Sequence, residues 1–138
     1  MKKLLLFALP FFFFQCKKET TTPTVSNTDL LTLVPWRVVS ETINNQLIQT
    51  KDCDKDDYIS FDKKGTCTIF WGDKKCSAGE PASTAGTWSF QNNETQIIFK
   101  ISGLTITNKI LKLNVNTMVL EDSSDPKNID VTTYTNNF

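Results

Sequence analysis

From Trp36 to Thr135 apolar and polar residues alternate in short runs, and turn-forming stretches separate the runs. A period of two sends successive side chains to opposite faces of a strand, whereas an amphipathic helix needs a period of 3.6. "WRVVSETI" (36–43) is rich in β-branched residues, which suit strands. "YISF" (58–61), "DKKG" and "TCTIFW" (66–71) read as a hairpin with Gly65 at its turn. "GTWSF" (86–90) sets Trp88 and Phe90 on one face and Thr87 and Ser89 on the other. "NNE" (92–94) turns into "TQIIFKI" (95–101), "TNKILKL" (107–113) and "MVLE" (118–121) flank "NVNT", and "IDVTTYT" (129–135) follows "DSSDPKN". The pattern predicts an all-β domain of about eight strands, as a single antiparallel up-and-down barrel or a barrel-like sandwich. Closing a barrel removes the exposed edges of a small sheet, and about eight strands leave room either for packed side chains or for one small ligand.

The N-terminal stretch follows different rules. Lys2 and Lys3 precede Leu4 to Phe14, an uncharged and almost wholly apolar run. As a helix it spans roughly 16 Å, about half a bilayer core, and Pro10 interrupts it. Its length and flanks match the core of a signal peptide, but no small residue stands before an ordinary cut site. A cysteine directly after such a run resembles a bacterial lipoprotein signal, in which Cys16 is acylated and becomes the first mature residue; "CKKE" is similar to the start of many Bacteroidetes lipoproteins. The expected layout is a signal peptide over 1–15, a lipidated Cys16 with a polar, Thr-rich tether over 16–29, and a barrel domain over 30–138. Asp29 is the expected cap of a short turn, "LLTL", stopped by Pro35. The lipid on Cys16 would hold the protein to a membrane of the bacterial cell envelope, with the outer membrane, periplasmic or surface-exposed, as the expected site. Cleavage leaves 13 basic against 15 acidic residues, a net charge of −2, too small for strong electrostatic attraction to anionic lipid.

Charge and composition exclude several functions. The 138 residues carry 15 basic and 15 acidic side chains, a balance that gives no footprint for nucleic acid. There is no histidine, which removes Ser-His-Asp and Cys-His catalysis and every His-containing zinc site. Glu41, Glu80, Glu94 and Glu121 are scattered over different runs, with no spacing that sets two carboxyls for glycosidase-type chemistry. "DCDKDD" (52–57) alternates aspartates like a calcium loop, but Asp57 and Lys63 stand where such a loop needs Gly and Glu. Aspartates that cap backbone N–H groups in a solvated loop are the expected reading. The chain is therefore expected to be a monomer and not an enzyme, with no cofactor and no metal.

Three of the four cysteines, Cys53, Cys67 and Cys76, lie in the body of the domain. Cys53 and Cys76 fall in polar loops on either side of the first hairpin and are expected to pair, while Cys67 sits within a strand as a buried free thiol. Pairing of Cys16 with Cys67 is the alternative use of the first cysteine. Trp36, Phe61, Phe70, Trp71, Trp88, Phe90 and Phe99 are the candidate ligand-lining residues. The same rings suit a filled core in a domain of this size, and alternation alone leaves both readings open.

Taken in order, "W-x-V" in the first strand, "C-x-K-D-D-x-x-x-F-x-x-x-G-T" (Cys53 to Thr66), "C-x-x-G" (Cys76 to Gly79), "G-T-W-S" (Gly86 to Ser89) and "L-x-V-N-T-M-V-L" (Leu113 to Leu120) resemble the lipocalin-like lipoprotein domains of Bacteroidetes. The resemblance covers roughly residues 30 to 135. It implies a calycin-type barrel of about eight strands on a lipid anchor, and it points to the same Cys53–Cys76 pair. Two functions are expected from these readings: binding of a small hydrophobic ligand in the barrel mouth, or a structural or protein-interaction role at the envelope without a ligand.

Overall fold

A computed structural model of the chain describes residues 25–137. The expected signal peptide, Cys16 and most of the expected tether lie outside these residues. One short helix, α1 (Asn27–Thr32), precedes nine strands: β1 (Arg37–Ile43), β2 (Gln46–Ile48), β3 (Tyr58–Phe61), β4 (Thr66–Phe70), β5 (Ser83–Gln91), β6 (Gln96–Ile101), β7 (Leu104–Leu113), β8 (Thr117–Asp122) and β9 (Asp130–Thr135). All pair antiparallel in one sheet of order β2-β1-β9-β8-β7-β6-β5-β4-β3. The all-β expectation holds, with β2 as an additional strand.

The closed barrel expected from the sequence is not formed. The last strand, β9, pairs along β1, but β3 and the β1–β2 hairpin remain the two ends of the sheet. They meet at a single isolated bridge, where Trp36 and Ile59 exchange both backbone hydrogen bonds at 2.8 Å. The seam stays unzipped because β2 occupies the edge of β1 from Glu41 to Ile43. On the other side of Trp36 stands Pro35, which has no N–H to donate.

The helix shuts one end of the sheet. Ser26, not Asp29, is its N-cap: the Ser26 hydroxyl accepts from the Asp29 N–H at 3.0 Å and donates to the Asp29 carboxylate at 2.7 Å. Residues 26–29, assigned above to the tether, therefore belong to the helix and its cap. Leu31 is fully buried, and its carbonyl accepts the indole N–H of Trp36 at 2.9 Å. Asp29 also pairs with Lys63 in the β3–β4 turn, an exposed contact that contributes little. Beneath the helix, Trp88 packs edge-on against Phe61 and Phe90, with ring centroids 5.9 and 5.2 Å apart.

Two hairpins explain the strand missed in the sequence and one that starts earlier than predicted. Asn44 and Asn45 (φ 51° and 66°) make a two-residue left-handed turn between β1 and β2, and Ser102 and Gly103 (φ 52° and 81°) make another between β6 and β7. The Asn44 amide also bonds the Lys127 carbonyl and the Ile129 N–H, fastening loop 123–129 to the hairpin. At Gly86 in β5 a Cβ would lie 2.5 Å from the Lys100 carbonyl, so only glycine permits this approach to β6.

Because the Trp36 side chain fills the core and its indole is tied to the Leu31 carbonyl, Trp36→Ala is expected to lower stability by about 3–5 kcal/mol. Urea unfolding followed by circular dichroism checks this, and a loss below ~1 kcal/mol would contradict the packing role given to the Trp36 side chain.

Candidate functional site

The other end of the sheet is hollow. A cavity of about 430 Å³ opens along the seam, between Trp36, Val38 and Glu41 on the β1 side, Tyr58, Ile59, Ile69 and Trp71 on the β3–β4 side, and Tyr134 of β9. A second space of about 270 Å³ lies against the concave face, bounded by Phe61, Phe99, Ile101, Met118 and Leu120 and by Asp122, Asp130 and Thr132. Ile59, Ile69 and Tyr134 wall both, so the two spaces adjoin.

The mouth is braced by two loops. The Cys53–Cys76 disulfide joins loop 49–57 to loop 71–82, with Cα atoms 5.2 Å apart, as expected from the sequence. With 23 residues of separation it stabilises the fold by roughly 3 kcal/mol on the chain-entropy model. Backbone N–H groups add to the brace: Asp57 accepts from Gly72 at 2.7 Å, and Asp56 accepts from Asp73 at 2.7 Å and Lys74 at 3.1 Å. The aspartates of "DCDKDD" thus cap N–H groups as predicted, but those of the opposite loop. A Cβ on Gly72 would run into the Asp56 carboxylate, so this contact also requires glycine. The Trp71 indole donates to the Thr84 hydroxyl at 3.0 Å, which fixes its ring at the mouth.

The seven aromatics singled out in the sequence divide into three groups. Trp36 and Trp71 line the seam cavity, and Phe61 and Phe99 line the adjoining space. Trp88 and Phe90 do not line either cavity; they fill the helix-covered end, where the Trp88 indole donates to the Asp62 carbonyl at 3.1 Å. Phe70 does not line them either: its ring stacks on Tyr58 with centroids 4.7 Å apart. The lining residues not anticipated are both aliphatic and polar. Ile59 and Ile69 were legible, because they share the strand faces of Phe61 and Trp71 at two-residue spacing. Tyr134 was not, because its face of β9 also carries Asp130 and Thr132 and so reads as a solvent face.

The cavity wall is electrically unusual. Burial pushes the Glu41 carboxyl up, and the hydrogen-bonded Asp130 carboxylate beside it raises it further. Burial also raises Asp57, against the opposing pull of the Gly72 N–H. Tyr134 is pushed up to about 12, mainly by burial and then by the nearby Asp130 and Glu41 charges. Cys67 is buried and free as predicted, and burial holds its thiol up, so it is not poised as a nucleophile. Cys53, Asp54 and Cys76 bring metal-ligand atoms within 4.8 Å of one another, but the two sulfurs are bonded to each other and offer no thiolate.

Comparison with known proteins agrees with this geometry. Residues 35–120 match the family model described as a lipocalin-like domain. The fold is similar to the crystal structure of a lipocalin-like protein from Bacteroides uniformis, with a TM-score of 0.58 and 11% identity, covering 77% of this chain and 97% of that one. No curated protein matches the chain.

Glu41 binds its proton more tightly in the folded chain than in the unfolded one, so its ionisation destabilises the fold as pH rises above the ordinary 4.5. Glu41→Gln is therefore expected to shift the urea midpoint upward at pH 7. The difference should shrink as pH falls below 4.5, where both forms of residue 41 are neutral.

Proposed function

The chain belongs to the lipocalin-like domain family, and from that premise we propose that it binds a small, largely apolar ligand through the seam cavity. The cavity carries this reading: about 430 Å³ falls within the usual range for small-molecule sites, roughly 300–1,000 Å³. It is lined by indole, phenol and isoleucine side chains and braced at its mouth by a disulfide. A hollow interior weighs for a binding protein over a filled structural subunit. Binding also accounts for the chemistry better than catalysis does. The sequence offers no histidine, and the hydrogen-bonded Glu41 and Asp130 lie too close together for the ~5–9 Å separation of glycosidase carboxyls.

We further propose that Cys16 is lipidated and that the domain works as a membrane-anchored binding protein of the cell envelope. The apolar run ending on a cysteine supports this. Replacing Cys16 with Ser should abolish labelling by a fatty-acid analogue and move the protein out of the membrane fraction. Full retention in membranes would overturn the anchor.

The binding reading is tested with an uncharged apolar fluorophore such as N-phenylnaphthylamine. Saturable fluorescence enhancement is expected. Ile69→Trp, which fills the wall shared by both spaces, should weaken it on the order of tenfold or more while the protein remains folded by circular dichroism. Absence of saturable binding to the parent protein, together with no small molecule in its native mass spectrum, would refute it.

A further inference from the structure

The walls of the two spaces carry five carboxyl groups, Glu41, Asp54, Asp57, Asp122 and Asp130, against one cation, Lys51. None of the five takes part in the three salt bridges among the described residues, which use Asp29, Asp52 and Glu121. Two features show that this charge is placed against the fold's own preference. Asp122 and Asp130 stand directly opposite each other on β8 and β9, and like charges in that position destabilise a strand pair. Asp130 also presses on Glu41 of β1. The strand that brings it there, β9, turns Asp130, Thr132 and Tyr134 into the interior, where an apolar face would otherwise be expected.

We propose that the ligand is a cationic amphiphile, its apolar part lodged against Ile59, Ile69 and Trp36 and its protonated amine between Glu41 and Asp130. The proposal rests on the ligand-binding reading above and goes beyond it by fixing the sign of the ligand's polar end. A cation at that point neutralises repulsion that the empty site leaves in place, and the amine N–H groups match the carboxylate acceptors. A fatty acid of the same size would bring a further carboxyl group to walls that already hold five, in a partly enclosed space where like charge is poorly screened. The Tyr134 hydroxyl, on the wall shared by the two spaces, is placed to hydrogen-bond the same polar end.

Three ten-carbon probes with different ends test this at pH 7: decylamine, decanol and decanoate, each read by displacement of the apolar fluorophore and by calorimetry. Decylamine is expected to bind at least about tenfold more tightly than decanoate, with decanol between them. The Glu41→Gln/Asp130→Asn double variant should bring decylamine to within roughly threefold of decanol, the ratio of the two affinities being the readout. Asp122→Asn, which keeps the Glu41–Asp130 pair, provides a second reading if the double variant does not fold; it should reduce the amine preference in part. Asp52→Asn, which alters a carboxylate outside both spaces, should leave the preference intact. If decanol binds but decanoate binds as tightly as decylamine, the cationic assignment is overturned while the cavity remains a binding site. If none of the three binds, the cationic assignment is overturned, while the binding reading is decided by the fluorophore and the native mass spectrum. An amine preference that survives the folded double variant overturns the roles of Glu41 and Asp130.

Discussion

One pair of residues determines whether this sheet encloses anything. Trp36 and Ile59 join the two ends of the sheet through two backbone hydrogen bonds. Trp36 itself is fully buried and tied by its indole to the helix that covers the base. Without this contact the β1–β2 hairpin and β3 would present unpaired edges on either side of the cavity, and edges of that kind recruit other strands. The contact is narrow for a geometric reason: β2 already occupies the edge of β1 beyond it, and Pro35 has no donor. The gap left on the β2 side of the bridge is where the seam cavity opens. Enclosure and access thus arise from the same incomplete pairing.

The fold was legible in the sequence wherever side-chain alternation was strong. β3, β6 and β8 were readable from "YISF", "TQIIFKI" and "MVLE", short apolar runs between turn residues, and in β6 and β8 the buried positions recur every second residue, Ile97 with Phe99 and Met118 with Leu120. β2 was not, because three exposed residues after an Asn-Asn turn carry no alternation, and the left-handed φ of Asn44 and Asn45 is a backbone property. Closure was not legible either. Whether the first and last elements of a sheet meet depends on which edges are already taken, and single strands do not record this.

The site was legible in part, for a related reason. The rings at Trp36, Trp71, Phe61 and Phe99 and those at Trp88 and Phe90 follow the same alternating pattern. What separates lining from filling is their height above the helix, which is set by strand register: Trp88 is level with the β3–β4 turn, whereas Trp71 lies beyond the far end of β4. The inward carboxylates escaped notice because a polar face normally meets water. Here it meets an internal space, and β9 lies between β1 and β8.

The position of β9 has a consequence for time as well as space. β3 to β8 form a continuous meander in which each strand pairs with its sequence neighbour, and β1 with β2 forms a separate hairpin. Apart from the single Trp36–Ile59 bridge, these two pieces become one sheet only when β9 lies down between β1 and β8. A folding chain therefore holds the hairpin and the meander as halves joined at most by that bridge until β9 is in place. The pairing of β1 with β9 spans nearly the whole domain, the kind of long-range contact that slows folding. The delay leaves the edges of β1 and β8 open until β9 has formed, so the joining of the sheet is the slow and vulnerable step of folding.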